Sequence, residues 1–257
     1  NRLAASSKVG MVSFTGSVET GSKVMHAAAD NITKVNLELG GKAPAIVLAD
    51  ADLKLAVKGV TSGIFPTTGQ SCISGSRLLV HRSLMQSFAG RMVEVVSKAK
   101  VGDPTDPETQ IGPIANKPHS ESVLNKISEA EKGGHRLHLD GRTACRDKGY
   151  YIRPTIFADV PNSDPLAQTE VFGPVVSMLP FDDEDEALRI ANDTIYGLAA
   201  GIWTRDVNKA IRMAERVEAG TVYINNYFNA TTQSPVGGYK QSGYGRESGI
   251  EGMKAFL

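Results

Sequence analysis

Apolar positions along the chain follow two alternating patterns. Short β-branched runs at 9–14, 35–39, 45–48, 77–81, 175–180, 199–203 and 221–224 read as buried strands. Between them, apolar residues recur every three to four positions and predict helices over 18–29, from a cap at Asp50 or Asp52 to Phe65, and over 183–192 and 206–217. Leu84, Phe88, Met92, Val95 and Val96 keep one helical face apolar over four turns. The middle is looser. Three prolines and three acids make 102–113 a surface loop, followed by a polar helix over 121–132 and a short strand near 135–139. A basic loop at 141–148 and extended segments over 150–160 complete that stretch. Strands alternating with helices argue for an α/β fold.

Composition narrows the picture by exclusion. The chain has 257 residues, 41% hydrophobic, with 28 basic and 28 acidic side chains, which gives a formal net charge of zero. That is an ordinary globular composition with no global attraction to nucleic acid or anionic membrane. No run reaches the 18 or so apolar residues that a membrane span requires. The start, NRLAASSKVG, has neither an apolar signal core nor an initiator Met, so it reads as the middle of a longer chain. Two cysteines make no disulfide framework, so a reducing, cytoplasmic setting is expected.

Cys72 lies in FPTTGQSCISGSR, a polar loop between a helix and a strand. A nucleophile needs such exposure, with backbone N–H groups nearby to stabilise thiolate and oxyanion. An inert loop cysteine fits the same context, and Cys145 on its charged loop reads as a surface bystander. Glu38, between leucines at a strand end, is placed to be desolvated and so to become a base near neutral pH. A strand-edge glutamate paired with Lys42 is the plainer alternative. FTGSVETG (14–21) is a strand–turn–helix whose N-terminal amides suit a phosphate, although it matches no dinucleotide fingerprint or P-loop. The five histidines show no metal-ligand spacing, His135 and His138 read as solvated, and no metal site is expected. Six glycines within 237–252 mark either a tightly folded loop or an irregular connection.

Taken in order, FTGSVETG, LELGGKAP, GQSCISGSR, EVFGPV and PVGGYKQSGYGRESG resemble the NAD(P)-dependent aldehyde dehydrogenase family over nearly the whole chain. The resemblance implies a parallel-rich sheet with helices on both faces and a Rossmann-like cofactor domain present only in part. It implies that Cys72 is the nucleophile and Glu38 the general base. Gly16, Ser17, Gly21, Leu39, Gly40, Glu170 and Phe172 would bind NAD or NADP, and Glu247 matches a glutamate linked to proton relay in some members. The Cys72 amide would supply half of an oxyanion hole, and a family asparagine the other half.

That asparagine belongs to an upstream segment absent from these residues, as does the lysine that holds the adenosine ribose. A fragment is therefore expected, with 1–40 the last part of the cofactor domain, 41–240 the catalytic domain and 241–257 a glycine-rich tail returning to the cofactor domain. The implied partners are a small aldehyde and further copies of the full-length protein, with no nucleic acid and no membrane. Small residues at Ala230 and Val236 suggest a wide substrate tunnel and a bulky or aromatic aldehyde. Two further readings are a nicotinamide-independent cysteine esterase and a non-catalytic remnant.

Overall fold

Strand alternation sorts the core of the main sheet onto two faces, each covered by helices. A computed structural model describes residues 2–143, 148–229 and 231–257. In chain order the strands are β1 (Met11–Thr15), β2 (Lys34–Glu38), β3 (Pro44–Val47), β4 (Arg77–His81), β5 (Arg136–Leu139), β6 (Thr155–Ala158), β7 (Val175–Phe181), β8 (Ala199–Trp203), β9 (Thr221–Ile224) and β10 (Gly243–Tyr244). The helices are α1 (Val18–Ala29), α2 (Leu53–Ile64), α3 (Met85–Val96), α4 (Lys117–Lys132), α5 (Pro165–Gln168), α6 (Glu184–Asn192), α7 (Val207–Arg216) and α8 (Gly249–Lys254).

Among the described residues the larger sheet runs β5-β6-β7-β4-β3-β8-β9, parallel throughout except for the antiparallel β5 at its edge. Ala45, Val47, Leu78, Val80, Val176 and Met178 pack under Val57, Val60, Phe88 and Met92 of α2 and α3. The intervening Ile46, Leu79, Val175 and Leu179 pack on the other face with Val123 and Ile127 of α4, Leu188 of α6 and Met213 of α7. Burial on both faces explains the continuous apolar runs. The expected α/β fold with helices on both faces is therefore present. A smaller sheet, β1-β2-β10, pairs β1 and β2 in parallel and sets β10 antiparallel to β2.

Several expectations shift. Asp52, not Asp50, caps α2 by accepting from the Leu55 amide at 3.0 Å, while Asp50 accepts from the Thr204 hydroxyl. α4 begins four residues before the expected 121, because Asn116 caps the His119 amide at 2.9 Å and Pro118 sits in a first turn that needs no N–H from it. Val95 is 50% exposed, at the rim of a stripe centred on Ala89, Met92 and Val96. His135 is not solvated but bonds Asp164 at 2.7 Å. Helix α5 and the two-residue β10 had no periodic signal to announce them. Cys145 and Ala230 lie outside the described residues.

Arg77, fully buried at the start of β4, donates to Asn162 Oδ1 (3.1 Å), Ile190 O (3.0 Å) and Ala191 O (2.5 Å). It thereby supplies donors to carbonyls in the last turn of α6, where Ile190 O otherwise has only a 3.3 Å bond from the Asp193 amide. Arg77→Ala should lower the unfolding free energy by about 3 kcal/mol, read by urea denaturation, because buried acceptors lose their donor.

Candidate active site

Three neighbouring strands of the main sheet begin at one edge, and the loops feeding them carry the candidate chemistry. Gly40 and Gly41 lead into β3, Cys72 into β4, and Glu170 to Gly173 into β7. Opposite them, the small sheet contributes the carboxyl ends of β1 (Thr15, then Gly16 and Ser17) and β2 (Glu38, then Leu39). The two sets enclose a cleft of about 540 Å³. Gly16, Ser17, Leu39, Gly40, Cys72, Glu170 and Phe172 all line it, together with Thr15, Gln70, Ser71 and His119.

Backbone proximity holds the cleft together. The Gly41 amide donates to Glu170 Oε1 at 3.0 Å. A Cβ added at Gly40 would lie 2.3 Å from Glu170 Oε2, and one at Gly41 would lie 2.2 Å from the Cys72 carbonyl oxygen. At Gly41 the obstacle is backbone, so only glycine lets β3 meet the Cys72 loop, while a side chain at Gly40 would push the Glu170 carboxylate aside. Ser17 caps α1 by accepting from the Thr20 amide at 3.2 Å. Gly16 and Ser17 at the start of α1 line the cleft, so the positive end of the helix dipole lies beside it.

Two of the expected residues stand outside this cleft. Gly21 spends its amide inside α1, donating to Ser17 O at 2.9 Å, and its Cα packs beneath the Leu39 side chain. Glu38 points to the other face of β2 because strand neighbours alternate, with Leu39 toward the cleft and Glu38 away from it. Its carboxylate lies near Gly237, Arg246 and Glu247. Glu38 is 6% exposed, and its Oε1 has no hydrogen-bond partner. Burial first, and then the Glu247 charge, push its pKa up to about 7, against a smaller pull from Arg246. Glu247 accepts from Ser13 and Asn36 at 3.2 and 3.4 Å. The alternative pairing of Glu38 with Lys42 does not occur. Lys42 is 1% exposed, its Nζ has no partner, and burial pushes its pKa down to about 7.

Cys72 is a half-buried free thiol. Burial and then the Glu170 charge raise its pKa, against the lowering effect of the Cys72 and Ile73 amides. The thiol therefore stays protonated at neutral pH until a base takes its proton. Burial also raises the Glu170 carboxyl, opposed by the Gly41 amide, Lys42 and Lys126. Behind the loop, the Tyr227 hydroxyl donates to Ile73 O at 2.8 Å, and its ring joins Trp203, Tyr223 and Phe228. The sequence reading missed His119 and Lys42. His119 lies between the 102–113 loop and the helix expected from 121, in a stretch given no element, and Lys42 was considered only as a possible ion-pair partner. Among the described residues no His, Cys, Asp and Glu group could hold a metal ion, and no helix is long and apolar enough to cross a membrane.

Residues 1–257 match the model of the aldehyde dehydrogenase family. A betaine aldehyde dehydrogenase of Brucella anthropi is 45% identical over 245 residues, which cover 94% of this chain and 50% of that protein. A Staphylococcus aureus betaine aldehyde dehydrogenase solved with NAD+ superposes with a TM-score of 0.96 at 40% identity, over 99% of this chain and 51% of that one. An NAD-dependent aldehyde dehydrogenase from Sinorhizobium meliloti gives a TM-score of 0.97 at 41% identity, over 99% and 50%. The chain spans about half the length of the curated relatives it matches.

The buried Glu38 makes stability depend on pH. Its folded pKa of about 7 lies above the ordinary 4.5, so ionisation favours the unfolded chain. Stability is lost as pH rises from 4.5 to 7, and the cost stays in place above that. Glu38→Gln, which cannot ionise, should be more stable than wild type at pH 8 by on the order of 2 kcal/mol. Below pH 4.5 the two should converge, as thermal unfolding at both pH values will show.

Proposed function

Because the chain belongs to the aldehyde dehydrogenase family, we propose that the protein containing it oxidises an aldehyde to a carboxylic acid with NAD or NADP. The observation that carries this reading is the junction at Gly40 and Gly41, where a cysteine loop and an anchored carboxylate meet beside a helix N-terminus. Residues 1–40 are then the end of the cofactor domain, 41–240 the catalytic domain and 241–257 the returning tail. The same reading takes the full-length protein to be a cytoplasmic homo-oligomer. The exposed Ile250, Met253 and Phe256 near its end offer apolar surface for assembly.

The cleft residues fit a nicotinamide nucleotide. The α1 N-terminus, with Gly16 and Ser17, would hold the diphosphate, Glu170 the nicotinamide ribose, and Phe172, Leu39 and Gly40 the ring. Gly21 serves this site by letting α1 pack closely on Leu39. When bound, the nucleotide supplies the hydride acceptor. Cys72, its proton passed to water, adds as the thiolate to the aldehyde carbonyl to give a thiohemiacetal, whose oxyanion the Cys72 amide stabilises. Oxidation leaves an acyl thioester on Cys72. Glu38, outside the cleft yet near enough for its charge to raise the Cys72 pKa, takes a proton from water as that water attacks the thioester, and the acid leaves with the thiol regenerated. Alternation along β2 thus keeps the base apart from the cofactor side. For the substrate, the relatives' names favour an aldehyde carrying a quaternary ammonium group.

In the full-length protein, Cys72→Ala should abolish aldehyde oxidation. Glu38→Gln should slow steady turnover by about 10²–10⁴-fold while leaving a single-equivalent burst of reduced cofactor, since the base acts after oxidation. Wild-type turnover should rise with pH around 7, where Glu38 ionises. Steady hydrolysis by Glu38→Gln at the wild-type rate would remove Glu38 from the mechanism. Assays with betaine aldehyde and benzaldehyde side by side decide the substrate class.

A further inference from the structure

Phe172, which walls the cleft, holds a backbone conformation that bulky residues avoid, with φ at 54°. A second such place lies next to it. Thr67, Thr68 and Gly69 run left-handed in succession, at φ 57°, 60° and 68°, just ahead of Gln70, Ser71 and Cys72. For β-branched threonines this carries a steric cost, so the surroundings must impose it. The two places touch: a Cβ at Gly69 would lie 2.2 Å from the Gly173 carbonyl oxygen. What binds them from outside is the start of α4 and the chain leading to it. Thr68 Oγ1 donates to Gly112 O at 3.0 Å, Gln70 Nε2 donates to Pro113 O at 3.3 Å, and Gln70 Oε1 accepts from the Ala115 amide at 2.9 Å. One turn on, His119 Nε2 meets Phe172 O at 2.7 Å, and its ring sits edge-on to the Phe172 ring at 5.9 Å.

We propose that His119 is a positioning residue: by donating its Nε2–H to the Phe172 carbonyl it fixes the aromatic wall of the cleft and, through Gly173 on Gly69, the loop that carries Cys72. A carbonyl only accepts, so Nε2 carries the hydrogen whether the ring is neutral or protonated. The latch therefore does not depend on His119 titrating. Its consequence is that cofactor wall and nucleophile loop move as one unit. Freeing Phe172 loosens the adjoining Gly173, against whose carbonyl Gly69 packs, and exposes the half-buried thiol. The inference rests on the proposed reading of the cleft as the cofactor site for its binding arm only.

The test compares two side chains of similar size in the full-length protein: His119→Met, which fills the space without a donor, and His119→Gln, which keeps one. Iodoacetamide labelling of Cys72 is followed by peptide mass in cofactor-free protein, with Cys72→Ala as the blank, and NAD+ is titrated separately. His119→Met should label Cys72 about 3–10-fold faster and bind NAD+ about 3–10-fold more weakly, the scale of one lost hydrogen bond. His119→Gln should stay within about twofold of wild type in both. Wild-type labelling by His119→Met overturns the proposal, as does His119→Gln matching His119→Met. Weaker NAD+ binding with unchanged labelling also overturns it, because wall and loop would then be independent. A wild-type protein that binds no NAD+ counts against the cofactor reading, and the labelling comparison still decides the role of His119.

Discussion

The cleft is built on a close backbone approach, where a Cβ at Gly41 would lie 2.2 Å from the Cys72 carbonyl oxygen. Gly41 lies against the Cys72 carbonyl, its amide holds Glu170, and its neighbour Gly40 leaves just enough room for the second Glu170 oxygen. A methyl group at Gly41 would part β3 from the Cys72 loop, and one at Gly40 would displace the Glu170 carboxylate. The cysteine's orientation, the anchoring of the carboxylate and the shape of the cleft all follow from that contact. Larger elements serve it: β3, β4 and β7 lie side by side in parallel, so the loops feeding them arrive at the same edge.

The small sheet adds a division of labour through the simplest property of a strand. Leu39 and Glu38 are adjacent in sequence and face opposite ways, one into the cleft and one toward Arg246 and Glu247. Burial does opposite things to the two charge types here. It lifts the Glu38 carboxyl toward neutral pH and lowers the Lys42 ammonium toward it, leaving both groups able to exchange protons under physiological conditions. The Cys72 thiol moves upward instead, so its reactivity depends on a base and not on a permanently ionised sulfur.

Much of this was legible in the sequence, and the exceptions have physical causes. Strands β4, β8 and β9 and helix α1 lie where the apolar pattern placed them, because burial on both sheet faces leaves a strong signal. The motif order brought Cys72, Gly40, Glu170 and Phe172 to one cleft. Of the features that escaped, His119 and β10 have the plainest causes. His119 falls in the first turn of a helix whose start is set by Asn116 and Pro118, before any apolar periodicity begins. Strand β10 is two residues of a glycine-rich stretch, recognisable only by its pairing with Glu38 and Leu37. The location of Glu38 on the far face of β2 followed from alternation, yet the spacing of LELGG alone does not say which face holds the cofactor.

The most direct test of the central contact is thermal unfolding of the full-length Gly41→Ala protein with and without NAD+. A methyl group at this position must displace the Cys72 carbonyl and the amide that anchors Glu170. NAD+ should raise the unfolding temperature of wild type and leave that of the folded variant unchanged. An equal rise in both would mean that the contact does not organise the cleft, and the account would be wrong at its core.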